Sequence, residues 1–298
     1  MTRRALLLVN PKARQGSDQS GAAAERLRAA GFEVVEPDPA DESGPTEKIR
    51  RYRDRADLIV IGGGDGSVNA AAAGLLEAGL PFGLLPLGTA NDLARTLGLP
   101  TDLAAACAVI AAGHTRRVDV GLVNDRHFFN AASLGLSSKI AKKLTGGAKS
   151  RWGIFAYIAT AVSVLFHARP FSAVIHCDGA VYRVKTVQIT IGNGRHFGGG
   201  LTVAGDATID DGLLDVYSLE VNHWWQLLPL LPSMKSGTIG AWPKVRALKV
   251  REVEIVTRRP RSVNTDGELT TKTPATFRVL PGALSIFVPA DVSSPAPQ

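Results

Sequence analysis

Leu58-Ile59-Val60-Ile61-Gly62-Gly63-Gly64-Asp65-Gly66-Ser67-Val68-Asn69 is the stretch on which the fold turns. Four aliphatic residues in a row predict a buried strand, the glycines permit a tight turn, and the small residues from Val68 to Leu76 suit a helix. A strand, a glycine turn and a helix N-terminus leave backbone N–H groups aimed at the space before the helix, which favours an anion there. Asp65 sets the turn apart from a plain phosphate cradle, because its carboxylate lies where the charge of a polyphosphate would sit. Two anions need a cation between them, so the turn reads as a phosphate site that also works through Mg²⁺. It is a poor Rossmann fingerprint: Ser67 nearly supplies the third small residue, but an aspartate against the pyrophosphate is out of place. A Walker A loop is absent, and Gly146-Gly147-Ala148-Lys149-Ser150 has neither its spacing nor a preceding strand.

Working outward, a second apolar run, Pro81 to Leu85, opens into Pro86-Leu87-Gly88-Thr89-Ala90-Asn91-Asp92-Leu93-Ala94-Arg95. Thr89 or Asn91 can cap the helix that follows. By itself this is a well-capped helix start. Two successive strands that each end in a polar loop, however, place those loops where open α/β sheets bind ligands.

Strand-like runs at Ala5–Val9, Phe32–Val35, Leu58–Ile61 and Pro81–Leu85 alternate with Ala/Leu/Arg-rich helical segments, which is α/β organisation. From Phe171 onward the pattern changes to strands, at Phe171–Cys177, Val181–Ile191, Leu213–Leu219, Val250–Thr257 and Thr276–Leu280. Ile154–Phe166 reads as one apolar helix, too short to span a bilayer. At 298 residues the chain is long enough for two cores. Its two cysteines, Cys107 and Cys177, sit among apolar residues as buried thiols, and without a paired pattern they point to a reducing cytoplasm. Met1-Thr2-Arg3-Arg4 leads directly into a strand, unlike a secretory signal.

Formal net charge is +7, with basic clusters at Arg3-Arg4, from Lys139 to Arg151, and at Arg258-Arg259-Arg261. Such a surplus suits ATP or an anionic membrane surface, and no nucleic-acid fold signature accompanies it. Trp224-Trp225 with Leu227-Leu228 and Leu230-Leu231 reads either as core or as an interfacial anchor. The tail from Ser293 to Gln298 is rich in Ser and Pro and predicts disorder.

Five elements, in order along the chain, resemble the diacylglycerol kinase catalytic domain family, and in particular bacterial lipid kinases of the YegS/BmrU type. They are Asn10-Pro11 with Gly16, Gly63-Gly64-Asp65-Gly66-Ser67, the Pro86–Arg95 loop, Asp210-Asp211-Gly212-Leu213-Leu214-Asp215, and Asp266-Gly267-Glu268. Each alone is ordinary turn chemistry; the ordered set spans nearly the whole chain.

The resemblance implies a two-domain fold like that of NAD kinases, with an α/β nucleotide domain, a C-terminal β-sandwich, and the active site in the cleft between them. The nucleotide domain would cover 1–118, completed by a segment at about 281–298, and the sandwich 119–280. It further implies an ATP-dependent, Mg²⁺-requiring kinase acting on a diacylglycerol-like lipid alcohol, cytoplasmic, in transient contact with the membrane, and compatible with a homodimer. Nucleotide binding maps to Asn10, Pro11, Lys12, Ala13 and Arg14, to Gly63, Gly64, Asp65, Gly66, Ser67, Val68, Asn69 and Ala70, and to Thr89, Asn91 and Asp92. Asp65 is expected to serve the catalytic metal, and Glu268 to be the general base. Asp211, with backbone oxygens of Thr208 and Leu213, maps to a second, structural Mg²⁺ site. The chain departs from the family pattern at Lys12-Ala13-Arg14-Gln15-Gly16, where a Ser-Gly step is common, and at Ala70, where an acid often stands. An NAD kinase-like enzyme or a silent nucleotide- or lipid-binding module are the competing readings. Asp65→Ala is expected to abolish transfer with little loss of fold, as a metal-serving turn aspartate has no packing role.

Overall fold

The computed structural model describes residues 2–11, 16–136, 138, 169–194, 196–197, 201–202, 208–223, 226 and 242–290. Lys12, Ala13 and Arg14, the 139–151 basic cluster with Gly146–Ser150, the helix expected over Ile154–Phe166, the Trp224-Trp225 segment with its leucines, and the tail from Ser293 lie outside these residues. The chain divides into two compact units, Met1–Asp119 with Gly282–Gln298, and Val120–Pro281.

The first unit contains β1 (Arg4–Val9), α1 (Gly16–Ala29), β2 (Glu33–Val35), α2 (Pro45–Tyr52), β3 (Leu58–Gly63), α3 (Asp65–Ala78), β4 (Phe82–Pro86), α4 (Asp92–Thr96) and α5 (Leu103–Ala112), and begins β5 (Thr115–Val123). Its sheet runs β2-β1-β3-β4 with every pairing parallel. All six residues of β3 are buried, as expected of a central parallel strand covered on both faces. Leu7, Leu27, Val60, Leu85, Ile110 and Phe287 belong to the core beside it. Helix α3 carries Gly74 because α2 crosses there at backbone distance: a Cβ at this position would lie 2.9 Å from the Thr46 carbonyl oxygen. The Thr46 hydroxyl fastens the crossing by donating to the Ala70 carbonyl at 2.8 Å.

The second unit continues β5 and adds β6 (Arg126–Phe128), β7 (Ala131–Gly135), β8 (Phe171–Cys177), β9 (Ala180–Thr186), β10 (Gln188–Gly192), β11 (His196–Phe197), β12 (Leu201–Thr202), β13 (Leu214–Leu219), β14 (Val245–Val250), β15 (Glu252–Thr257), β16 (Ser262–Thr265), β17 (Glu268–Lys272) and most of β18 (Ala275–Phe287). One sheet has the order β14-β13-β10-β7-β16-β17, and in the other β18, β15, β8 and β9 are neighbours in that order. All these pairings are antiparallel. A single hydrophobic cluster takes Leu134, Ile189, Val216 and Val263 from the first sheet and Ala173, Ile175, Val253 and Phe277 from the second. Two sheets that share one core form a β-sandwich.

The expected run Val250–Thr257 begins instead at Glu252, Val250 being the end of β14, and two further departures bear on the topology. The run Val181–Ile191 splits at Val187 into β9 and β10, which belong to different sheets. The Thr186 hydroxyl holds that switch by donating to the carbonyls of Gln188 and Leu219, both at 2.9 Å. The last strand does not stop at Leu280 but passes through Pro281-Gly282 to Phe287. Gly282 compensates for the proline's missing donor by bonding laterally: its N–H donates to Asp119 at 2.6 Å and its carbonyl accepts from the Arg117 guanidinium at 2.8 Å. Among the described residues no helix is long and apolar enough to cross a membrane.

Candidate active site

In the first unit the two glycine loops meet backbone to backbone. A Cβ on Gly88 would stand 2.5 Å from the Gly64 Cα, and one on Gly64 would stand 3.1 Å from the Gly88 Cα. Side chains at either position would force the loops apart, which is the physical reason for glycine in both. Helix α3 starts at Asp65 after Gly64, whose backbone is extended and whose carbonyl accepts from the N–H groups of Ser67 at 2.9 Å and Val68 at 3.3 Å. The first N–H groups of α3 therefore belong to the glycine turn itself.

The Asp65 carboxylate reaches across to the second loop. One oxygen accepts the Asp92 N–H at 3.1 Å and the other the Leu93 N–H at 3.0 Å, so Asp65 caps the five-residue helix α4 from another element. This overturns the expectation that Asp65 has no packing role. Capping by Thr89 or Asn91 is corrected too: α4 has no cap from its own side chains. Asn91 instead adopts left-handed backbone, φ 50°, and turns its amide back to accept from Gly88 N–H at 3.0 Å and to donate to the Gly88 carbonyl at 2.9 Å. Asn and Asp tolerate that conformation better than most residues, and Asn91 thereby closes the loop upon itself.

The other expected nucleotide residues of this unit fall around the same turn. The Asn10 amide donates to the Ser67 hydroxyl at 2.9 Å, which ties the end of β1 to α3. Pro11 and Gly66 are exposed, and Gly63 is packed under Ser67 so closely that a Cβ would collide with its side chain. Val68 is 1% exposed, so its side chain belongs to the core. Asn69 is half-buried, while the Ala70 side chain is exposed and its carbonyl is taken by Thr46. Asp92 is buried and Thr89 exposed. Thr89, Ala90, Asn91, Arg95 and Thr101 line an open depression of about 290 Å³ with Pro86, Leu87 and Gly88. Arg95 donates from Nε to the Ala90 carbonyl at 3.0 Å. Thr101 had no motif to mark it; only the fold brings it to this wall.

In the second unit, Asp211 accepts the Leu213 N–H at 2.9 Å across Gly212, which has φ 70°. That is the local turn expected of an Asp-Gly pair. Among the described residues no group of three His, Cys, Asp or Glu side chains is placed to hold a metal. The set expected from sequence, the Asp211 carboxylate with backbone oxygens of Thr208 and Leu213, is all oxygen, the chemistry Mg²⁺ accepts when waters or phosphates complete it.

Glu268 opens β17 and is exposed. It pairs with Thr265 across the two-residue loop Asp266-Gly267, where φ is 46° and 100°. Positive φ at both positions is the hairpin geometry that Asp-Gly favours. Asp266 does more than turn the chain: its carboxylate accepts N–H groups from Phe129 at 2.7 Å, Asn130 at 3.0 Å and Ala131 at 2.9 Å. Asn193, 3% exposed, donates its amide to the Phe129 carbonyl at 2.9 Å. Asn193 escaped the sequence reading, although Gly192-Asn193-Gly194 after an apolar strand repeats the strand-then-polar-loop signal that marked Gly63 and Gly88.

Residues 4–123 match the diacylglycerol kinase catalytic domain, and residues 130–288 match the YegS C-terminal NAD kinase beta sandwich-like domain. The chain is 30% identical over 274 residues to a diacylglycerol kinase of Staphylococcus saprophyticus, covering 90% of this chain and 89% of that one. It is 29% identical over 304 residues to a diacylglycerol kinase of Staphylococcus aureus, with 98% and 94% covered. It superposes on a crystal structure of a diacylglycerol kinase from Bacillus anthracis with a TM-score of 0.75 and 25% identity, covering 98% of both chains. With both halves matched and the sequence aligned over nine-tenths of its length, the chain belongs to the diacylglycerol kinase catalytic domain family.

Proposed function

We propose that this protein is an ATP-dependent lipid kinase that transfers the γ-phosphoryl group to the hydroxyl of a diacylglycerol-like lipid. The observation that carries this reading is the meeting of Gly64 and Gly88, with Asp65 clamping α4. It joins two strand-end loops at backbone distance, and α3 begins at Asp65 within the first of them. Phosphates suit such a helix start because N–H groups and the helix dipole both favour negative charge.

In this reading Gly63 to Ala70, Thr89, Asn91 and Asp92 hold the nucleotide, joined by Asn10 and the loop that follows it. Bound Mg²⁺ supplies neutralisation of phosphate charge; Asp65 would hold it beside the nucleotide, and Asp211 with Thr208 and Leu213 would hold a second ion that braces their loop. Glu268 takes the proton from the lipid hydroxyl as that oxygen bonds to the γ-phosphorus and the bond to the bridging oxygen of ADP breaks. An exposed carboxylate on a pinned hairpin is suited to that task, because it is open to an incoming hydroxyl. The lipid alcohol would be met at an anionic membrane surface, to which the +7 net charge is suited.

The test is incubation with γ-labelled ATP, Mg²⁺ and a lipid panel, with NAD alongside. A labelled lipid is expected; labelled NADP alone would favour the NAD kinase-like reading, and no product with retained ATP binding would favour a binding module. Glu268→Gln keeps size and hydrogen-bonding shape but loses proton acceptance, so turnover should fall by about 10²–10⁴-fold while calorimetric ATP affinity survives.

A further inference from the structure

The hairpin that presents Glu268 is held by an unusual concentration of polar contacts for a two-residue turn. Three consecutive backbone N–H groups, those of Phe129, Asn130 and Ala131, donate to the single carboxylate of Asp266 at 2.7–3.0 Å. The Asp266 N–H returns a bond to the Ala131 carbonyl at 3.0 Å. From the other side of the turn, the Asn264 side chain accepts the Gly267 N–H at 2.9 Å. The 129–131 segment is itself fixed, by Asn193 donating from its side chain to Phe129 and from its backbone to the Asn130 carbonyl at 2.8 Å. An Asp-Gly loop needs none of this to turn, since the backbone preference of the pair suffices. What the added bonds fix is where the turn lies, and so where the first residue after it begins.

We propose that Asp266 is a positioning residue for the phosphoryl transfer, holding Glu268 in register by anchoring the β16–β17 turn to the 129–131 backbone. The inference rests on the reading of Glu268 as the base. Asp266 touches no substrate in this scheme; it acts through the residue two positions on. A displacement of about 1 Å in a reacting group costs on the order of 10²-fold in rate, so a loosened turn should affect turnover far more than binding.

Asp266→Asn isolates the effect. Asparagine tolerates the left-handed backbone, so the turn persists, and its carbonyl oxygen can still accept from Asn130 and Ala131. Its amide, however, sets a donor against the Phe129 N–H. The expected result is a fall in kcat of about 10²-fold with KM for ATP little changed, in a protein that still folds but melts at a lower temperature, because the N–H of buried Phe129 has lost its acceptor. Combined with Glu268→Gln, it should slow the enzyme no further than Glu268→Gln alone, because a displaced base that cannot accept a proton has nothing left to lose. Two rate losses that multiply in the double variant would overturn the proposal, as would wild-type kcat in folded Asp266→Asn. Should Asp266→Asn fail to fold, Asn264→Ala removes the bond to Gly267 from the other side of the turn and must show the same non-additivity with Glu268→Gln. Failure of the underlying reading looks different: Glu268→Gln would then turn over near the wild-type rate by itself, and the positioning role would fall with it.

Discussion

At the residue scale, Asp65 joins two requirements that usually fall to different side chains. A carboxylate at a glycine turn suits a phosphate-bound metal, and a carboxylate facing a helix N-terminus is a cap. Here the cap is donated from α3 to α4, a helix of five residues that has none of its own. Asp65→Ala should therefore lower the unfolding free energy by about 1–3 kcal/mol, the range for losing charge-assisted bonds to backbone donors, as well as abolish transfer. Denaturant unfolding alongside the kinase assay checks this, and an unchanged midpoint would show that the bonds to Asp92 and Leu93 carry no stability. The motif Gly-Gly-Asp-Gly was visible in the sequence because its residues are contiguous. The cap was not, since its acceptor and donors lie 27 and 28 positions apart and only the parallel β3–β4 register brings them together.

At the element scale, the loop after β3 and the loop after β4 act as one piece because neither has a Cβ where they touch. Gly88→Ala would place a methyl group 2.5 Å from the Gly64 Cα and 2.7 Å from the Asn91 Oδ1, with backbone rather than a flexible tip as the obstacle. Such overpacking typically costs about 1–3 kcal/mol, and relief requires the loops to part. ATP affinity measured by calorimetry should fall by at least about tenfold in Gly88→Ala, whereas Gly79→Ala, at the far end of α3 with nothing within 4 Å, should leave it unchanged apart from the strain of its positive φ. Equal affinities in the two variants would remove the loop contact from the nucleotide site. Several strands were legible from apolar runs, Phe171–Cys177 with both ends correct, whereas β5, β6, β7, β14, β16 and β17 were not read as strands. Errors arose where side-chain alternation continued through a change of sheet, as at Val187, or where Pro281-Gly282 looked like a stop. Periodicity records which face is buried; it does not record against which sheet, nor that Asp119 and Arg117 would hold Gly282 in line.

At the scale of the whole molecule, charge is the property that sequence reports most directly and structure distributes. In the second unit, β9 presents Val181, 54% exposed, in line with Arg183 and Lys185, also exposed. Residue pairing sets Lys185 against Ser172 and the end of β15 at Thr257 against Ala173, so Arg258 and Arg259 emerge at the same end of the sheet as Lys185. Glu220, which lies just beyond β13, is engaged by Arg246 at 2.7 Å and offers that end no free counter-charge. If a lipid substrate is met at an anionic membrane, this end should contribute to the encounter. Sedimentation with vesicles containing an anionic lipid should capture the protein, vesicles of zwitterionic lipid alone should not, and raised salt should release it as the screening length falls below about 8 Å. Each cation at such a surface is worth about 1 kcal/mol, so Arg258→Ala with Arg259→Ala should weaken partitioning roughly 30-fold. Turnover on a short-chain, water-dispersed substrate should be untouched, because neither arginine belongs to the loops assigned to nucleotide, metal or base. Capture that survives both substitutions would move the contact elsewhere on the chain, and capture by neutral vesicles alone would make it apolar instead of electrostatic.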